Sequence, residues 1–106
     1  MATVKKDNLH KIVTAFRRGI LEKRESVGMC FVVCSPLAGY LSVCGIKTEL
    51  EKVNFPHANH CWLRLPDGRI IDPTADQFSC DEQTLPKVYI GPVPELYERW
   101  MKEAKP

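Results

Sequence analysis

Five cysteines and three histidines supply the nucleophiles, bases and soft metal ligands of this 106-residue chain. Chemistry on a carbonyl needs a thiolate, an imidazole to take and return its proton, and a carboxylate to hold that imidazole in one tautomer. The stretch NHCWLRLPDGRIIDPTADQF, from Asn59 to Phe78, carries such an imidazole and carboxylate in His60 and Asp72. They sit on two short apolar runs separated by Pro66-Asp67-Gly68. Upstream, GMCFVVCSPLAGYLSVCGI, from Gly28 to Ile46, offers the thiols of Cys30 and Cys34.

Whether His60 meets Asp72 depends on the turn between them. Two short apolar runs around a turn sequence predict a β-hairpin. Pro suits the first central position of a type I turn, Asp the second, and Gly the left-handed position that follows, which makes a three-residue loop with a bulge. Counting outward, Leu65 faces Arg69, Arg64 faces Ile70, and Trp62 faces Asp72. His60 and Trp62 share a face by period two, so Asp72 lies beside Trp62 and diagonal to His60, within side-chain reach. A two-residue loop would put Asp72 on the opposite face. His57 is the fallback base if the register differs, and the plain reading is a surface histidine beside a turn-capping aspartate.

The thiol segment is apolar nearly throughout, as a buried helix would be. Leu37, Leu41 and Cys44 keep helical spacing, and Gly45 fits the residue just past the end. Pro36 leaves two starts open. Either the helix begins near Cys30 and bends at Pro36, or Ser35 caps it with Pro36 as its first residue. The first start puts Cys30 at the N-terminus and the second puts Cys34 there. A thiol in that place has its thiolate favoured by the helix dipole and the unpaired amides, which can also receive an oxyanion.

The remaining segments supply the frame. Asp7 or Asn8 can cap a helix whose Leu9, Ile12, Val13, Phe16 and Ile20 face inward, with His10, Arg17, Arg18, Glu22 and Lys23 in water; Ser26-Val27-Gly28 ends it. Ile46 to Phe55 alternates Ile46, Thr48 and Leu50 against Lys47, Glu49 and Glu51, a strand pattern. Ser79 to Pro86 is a polar loop, Val88-Tyr89-Ile90 a short strand, and Pro94 opens a terminal helix with Leu96/Trp100 and Tyr97/Met101 at i,i+4. Tyr89, Tyr97 and Trp100 either cover the core or form a dimer patch. The sum is an α+β fold, helices packed on a small antiparallel sheet, in one domain spanning residues 1–106.

Composition excludes several classes. Fifteen basic residues against thirteen acidic give no case for nucleic acid or an anionic membrane. No apolar run approaches the roughly 20 residues of a membrane span, and the polar N-terminus is not patterned as a signal peptide. An odd number of irregularly spaced cysteines fits a reduced, cytoplasmic protein better than a disulfide scaffold.

A cysteine opening a buried helix, an H-x-W strand and a D-P-T strand end together resemble the papain-like and transglutaminase-like cysteine enzymes. Gly28-Met29-Cys30-Phe31 with Leu37 and Leu41 is similar to the G-x-C-aromatic helix of small proteins often encoded in bacteriophage and prophage genomes, and HCWLRLPDGRIIDPTADQF to their second signature. The resemblance spans Gly28 to Phe78. It implies a minimal papain-like or transglutaminase-like core with the nucleophile at a helix N-terminus, with Cys30 as nucleophile, His60 as base and Asp72 orienting it. It leaves Cys34 where the pattern has a small residue. It implies no cofactor and, for a phage-encoded chain, the bacterial host cytoplasm. Papain-like enzymes place a Gln upstream of the nucleophile, and no Gln precedes Cys30 here.

Three functions compete. The first is a thiol hydrolase that cleaves a peptide or isopeptide bond of a peptide or protein substrate through a thioester; nothing suggests the amine-acceptor site that acyl transfer needs. The second is a catalytically silent binding module, such as a phage factor that occupies a host protein. The third is a metal site on His57, His60, Cys61 and Cys80, which lacks the paired spacing of zinc ligands. Trp62 is expected to wall the His60–Asp72 pair, Asp76 and Gln77 to fix the loop, and Cys34, Cys44, Cys61 and Cys80 to fill the core.

Overall fold

The computed structural model describes residues 6–21, 30–56, 58–78 and 86–104. Helix α1 spans Lys6–Leu21. It includes Asp7 and Asn8 within its first turn, so neither stands ahead of it as a cap. Leu9, Val13, Arg17 and Leu21, four residues apart, make its buried line, and Ile12 and Phe16 pack beside it. Arg17 is therefore buried rather than solvated, while His10 and Arg18 are exposed as expected. Glu22, Lys23 and the Ser26–Gly28 break lie outside the described residues.

Helix α2 spans Cys30–Val43 with Pro36 inside it, so the start is at Cys30 and not at Ser35. The proline removes the amide that would bond the Val32 carbonyl, and Val32 is on the exposed side, where solvent can replace that donor. Gly45, at φ +83°, ends the helix in a Schellman motif: its N–H donates to the Ser42 carbonyl at 3.0 Å, and Ile46 donates to Leu41 at 2.8 Å. Ile46 and Leu41 then share the core. Only one face of α2 is buried, through Val33, Cys34, Leu37 and Leu41; Phe31, Val32, Tyr40 and Val43 are exposed. An all-round apolar sequence is thus half-covered, because the helix lies on one side of the sheet with α1 as its helical neighbour. Cys44, expected in the core, is exposed beyond the helix end.

Strands β1 (Glu49–Asn54), β2 (Asn59–Arg64), β3 (Ile70–Asp72) and β4 (Tyr89–Gly91) form an antiparallel sheet in that order. Strand β1 begins three residues later than its alternation suggests. Its half-buried residues are Glu51 and Val53, while Leu50 stays 39% exposed at the sheet edge. The hairpin of β2 and β3 has the predicted register: Arg64 pairs with Ile70 and Leu63 with Ile71, and Leu65 N–H donates to the Arg69 carbonyl at 2.8 Å. Gly68 sits at φ +95°, and its N–H donates to the Leu65 carbonyl at 3.0 Å.

The sheet separates two cores. On one side Cys61, Leu63, Ile71 and Ile90 pack against α1 and α2. On the other, Phe55, Trp62 and Ile70 pack against Tyr97, Trp100 and Met101 of helix α3 (Glu95–Glu103), which closes that face. The chain is an α+β fold, three helices on a four-stranded antiparallel sheet among the described residues.

Candidate active site

Period two along β2 sends His60 and Trp62 to the α3 side and Cys61 to the α2 side. His60 is buried among three rings: Phe55 at 5.6 Å, Tyr97 at 5.8 Å and Trp62 at 6.0 Å between centroids. Trp62 is the expected wall. It stacks on Tyr97 at 5.6 Å with the planes 4° apart, and its indole N–H donates to Glu51 Oε1 at 2.8 Å. Arg64 Nε donates to that same oxygen at 2.9 Å, and this guanidinium, ahead of the indole, holds the Glu51 carboxyl below its usual range.

Asp72 stands where the three-residue loop puts it. His60 Nε2 donates to Asp72 Oδ2 at 2.7 Å, with both side chains buried. Pro73 ends β3, and the Thr74 N–H folds back onto Asp72 Oδ1 at 3.2 Å, an Asx turn. The segment after it forms a short 3-10 turn, Ala75–Phe78. There Gln77 Nε2 donates to the Thr74 hydroxyl at 2.8 Å, and Asp76 receives Arg17 Nη2 at 3.0 Å, so both residues fix the loop.

Cys30 opens α2 half-buried, with its thiol interacting with both the His60 imidazole and the Cys61 thiol. Cys34, one turn further on, is fully buried and directs its S–H to the Cys61 carbonyl at 3.7 Å; it is a core residue, not a helix-terminal thiol. With Nε2–H donated to Asp72, proton exchange with Cys30 falls to Nδ1 of His60.

The electrostatics depart from the expectation of a depressed thiol. The neighbouring Cys61 thiol, then burial, push Cys30 up to about 12, and His60 pulls the other way without prevailing. For His60, burial is the largest single influence and disfavours the imidazolium. The hydrogen bond to Asp72 and the nearness of Cys30, with the charges behind them, together outweigh it and raise the imidazole to about 9. At neutral pH the pair therefore rests as thiol and imidazolium, one proton above its nucleophilic form.

One residue in this centre was not legible as part of it. The hydroxyl of Tyr97, fully buried on α3, donates to Asp72 Oδ2 at 2.6 Å. Its i,i+4 pairing with Met101 predicts a packed helix face, but nothing in sequence ties residue 97 to residue 72. Of the four residues considered for a metal, His57 and Cys80 lie outside the described residues, and His60 and Cys61 point to opposite sides of β2. Among the described residues no group of three or more His, Cys, Asp or Glu could hold a metal ion. No helix of the described residues is long and apolar enough to cross a membrane. Compared with family models, curated proteins and solved structures, the chain finds no significant match.

Proposed function

We propose that the protein is a thiol hydrolase of papain-like or transglutaminase-like type that cleaves a peptide or isopeptide bond. The observation that carries the reading is the buried 2.7 Å His60–Asp72 hydrogen bond, with the Cys30 thiol within reach of the same imidazole. Once the pair has lost one proton, from His60, the neutral imidazole takes the Cys30 proton and leaves thiolate and imidazolium. The thiolate adds to the carbonyl carbon, and backbone N–H groups in the first turn of α2 receive the oxyanion. Collapse breaks the C–N bond while His60 passes its proton to the leaving amine, giving a thioester. Water, deprotonated by His60, then releases the acid and regenerates the thiol. Asp72 stays a carboxylate throughout and holds the ring in one tautomer.

A second reading, a binding module that retains the fold without the chemistry, is favoured by one observation: the resting thiol is held up, to about 12. The two part on the pH dependence of iodoacetamide alkylation, with each modified cysteine located by mass spectrometry. Cys44, exposed past α2, supplies a simple-thiol reference. For a hydrolase, Cys30 alkylation rises through a midpoint near 9, follows the His60 titration, and overtakes Cys44 above it; His60→Ala removes that advantage. Cys30→Ala then abolishes cleavage in a panel of peptide and isopeptide substrates while the circular dichroism spectrum is kept. A Cys30 that never overtakes Cys44, and is indifferent to His60→Ala, sinks the hydrolase and leaves the binding module.

A further inference from the structure

We infer that Tyr97 is a positioning residue of this centre: its buried hydroxyl shares Asp72 Oδ2 with His60 Nε2 and so sets how strongly the carboxylate holds the imidazolium. The inference rests on the site proposed above. Its geometry is specific. Two donors, at 2.6 Å and 2.7 Å, converge on one carboxylate oxygen while the Thr74 amide takes the other. Tyr97 is not placed there by its hydroxyl alone. Its ring is stacked on Trp62 and packed against Phe55 at 5.2 Å, which fixes the phenol over Asp72.

A donor to a carboxylate stabilises its charge and weakens its hold on a second donor. Tyr97 remains a neutral donor across the working range, because burial first, and then Asp72, push its own ionisation up. Other charged or titratable groups bear on the pair. Cys30 of α2 reaches His60 directly, while Tyr89 of β4 and Asp76 of the 3-10 turn act on Tyr97. None of these donates to Asp72 Oδ2 among the described hydrogen bonds. Removing the phenolic donor therefore concentrates the carboxylate's charge on His60 and keeps the imidazolium to higher pH.

The test follows the His60 imidazole by NMR titration together with the pH profile of Cys30 alkylation. In Tyr97→Phe, which keeps the ring, the His60 midpoint is expected to rise by about one unit. The Cys30 midpoint is expected to follow it. Uniform replacement of tyrosine by 3-fluorotyrosine, a stronger donor of the same shape, should move both midpoints down, and serves if Tyr97→Phe does not fold. Midpoints that stay in place in both proteins, with only a lower melting temperature in Tyr97→Phe, overturn the inference and leave Tyr97 a packing residue. Failure of the hydrolase reading is seen separately. In that case Cys30 alkylation ignores His60→Ala in the parent protein, while the His60 titration still reports whether Tyr97 acts on Asp72.

Discussion

Asp72 holds three donors on its two oxygens, from His60, Tyr97 and the Thr74 backbone. The carboxylate's charge beside His60 makes a buried imidazolium tolerable. The consequence is a pH-dependent stability whose sign is set by His60. Its folded-state value lies above the ordinary 6.5, at about 9. The folded protein thus binds the proton more tightly than the unfolded chain. That stabilisation is fully present below about 6.5 and is lost as pH rises through about 9. Urea unfolding at pH 6 and pH 9.5 should differ by on the order of 3 kcal/mol, the more acidic sample being the more stable. In Asp72→Asn the imidazole loses its charged partner, burial dominates, and the difference should largely vanish. An undiminished difference in that variant would place its origin elsewhere than His60.

At the scale of elements, the β2–β3 hairpin decides whether this pair exists. The loop Pro66-Asp67-Gly68 sets Trp62 opposite Asp72, and a one-residue change in pairing would turn Asp72 to the α2 side. Asp67 contributes more than length, since its carboxylate accepts the Arg69 N–H at 3.0 Å and the Arg69 side chain at 2.8 Å. Two changes in this hairpin should behave differently. Gly68→Ala meets no neighbouring atom but strains a left-handed position at φ +95°, so it should cost about 1–2 kcal/mol in denaturant unfolding and leave the His60 titration intact. Deleting Ile71 from β3 keeps the loop but sets Asp72 opposite Leu63, on the α2 side, and His60 should then titrate below its ordinary value because burial is no longer opposed. A high His60 midpoint in the deletion variant would show that the pair does not depend on this register. Helix α2 matters differently, bringing Cys30 to the centre at its first residue.

Over the whole molecule, one buried cation ties the first helix to the far end of the site. Arg17 of α1 donates through Nη1 to the Lys87 carbonyl at 2.7 Å and through Nη2 to Asp76 at 3.0 Å. It thereby pins the 3-10 turn after Asp72 and the approach to β4 together. Arg17→Met keeps the apolar stem and removes both bonds. It should cost roughly 1–3 kcal/mol in urea unfolding, the range for losing hydrogen bonds to a charged group. Amide exchange at Gln77, whose N–H donates to the Thr74 carbonyl at 3.2 Å, should quicken beyond what that global loss explains. Exchange at Gln77 that merely tracks global stability would show that the turn holds itself.

The amino-acid sequence by itself determined what acts over a few residues. Pro66-Asp67-Gly68 dictated the hairpin register, Gly45 the end of α2, and Asp72-Pro73-Thr74 the strand end, because turn chemistry and chain sterics are local. Packing between distant segments decided the rest. Arg17 looked solvated by helical position, yet it is buried because Lys87 and Asp76 arrive beside it across 70 and 59 residues. Leu50 alternates with the charged residues of its strand, yet β1 is an edge strand whose half-buried face carries Glu51 and Val53. Cys30 looked like a depressed thiol by its place on the helix, yet the Cys61 thiol and burial raise it. Tyr97 looked like a packing residue, and only the closure of α3 over the sheet brought its hydroxyl to Asp72. Each depends on which surfaces meet when the layers close, and no local spacing encodes that.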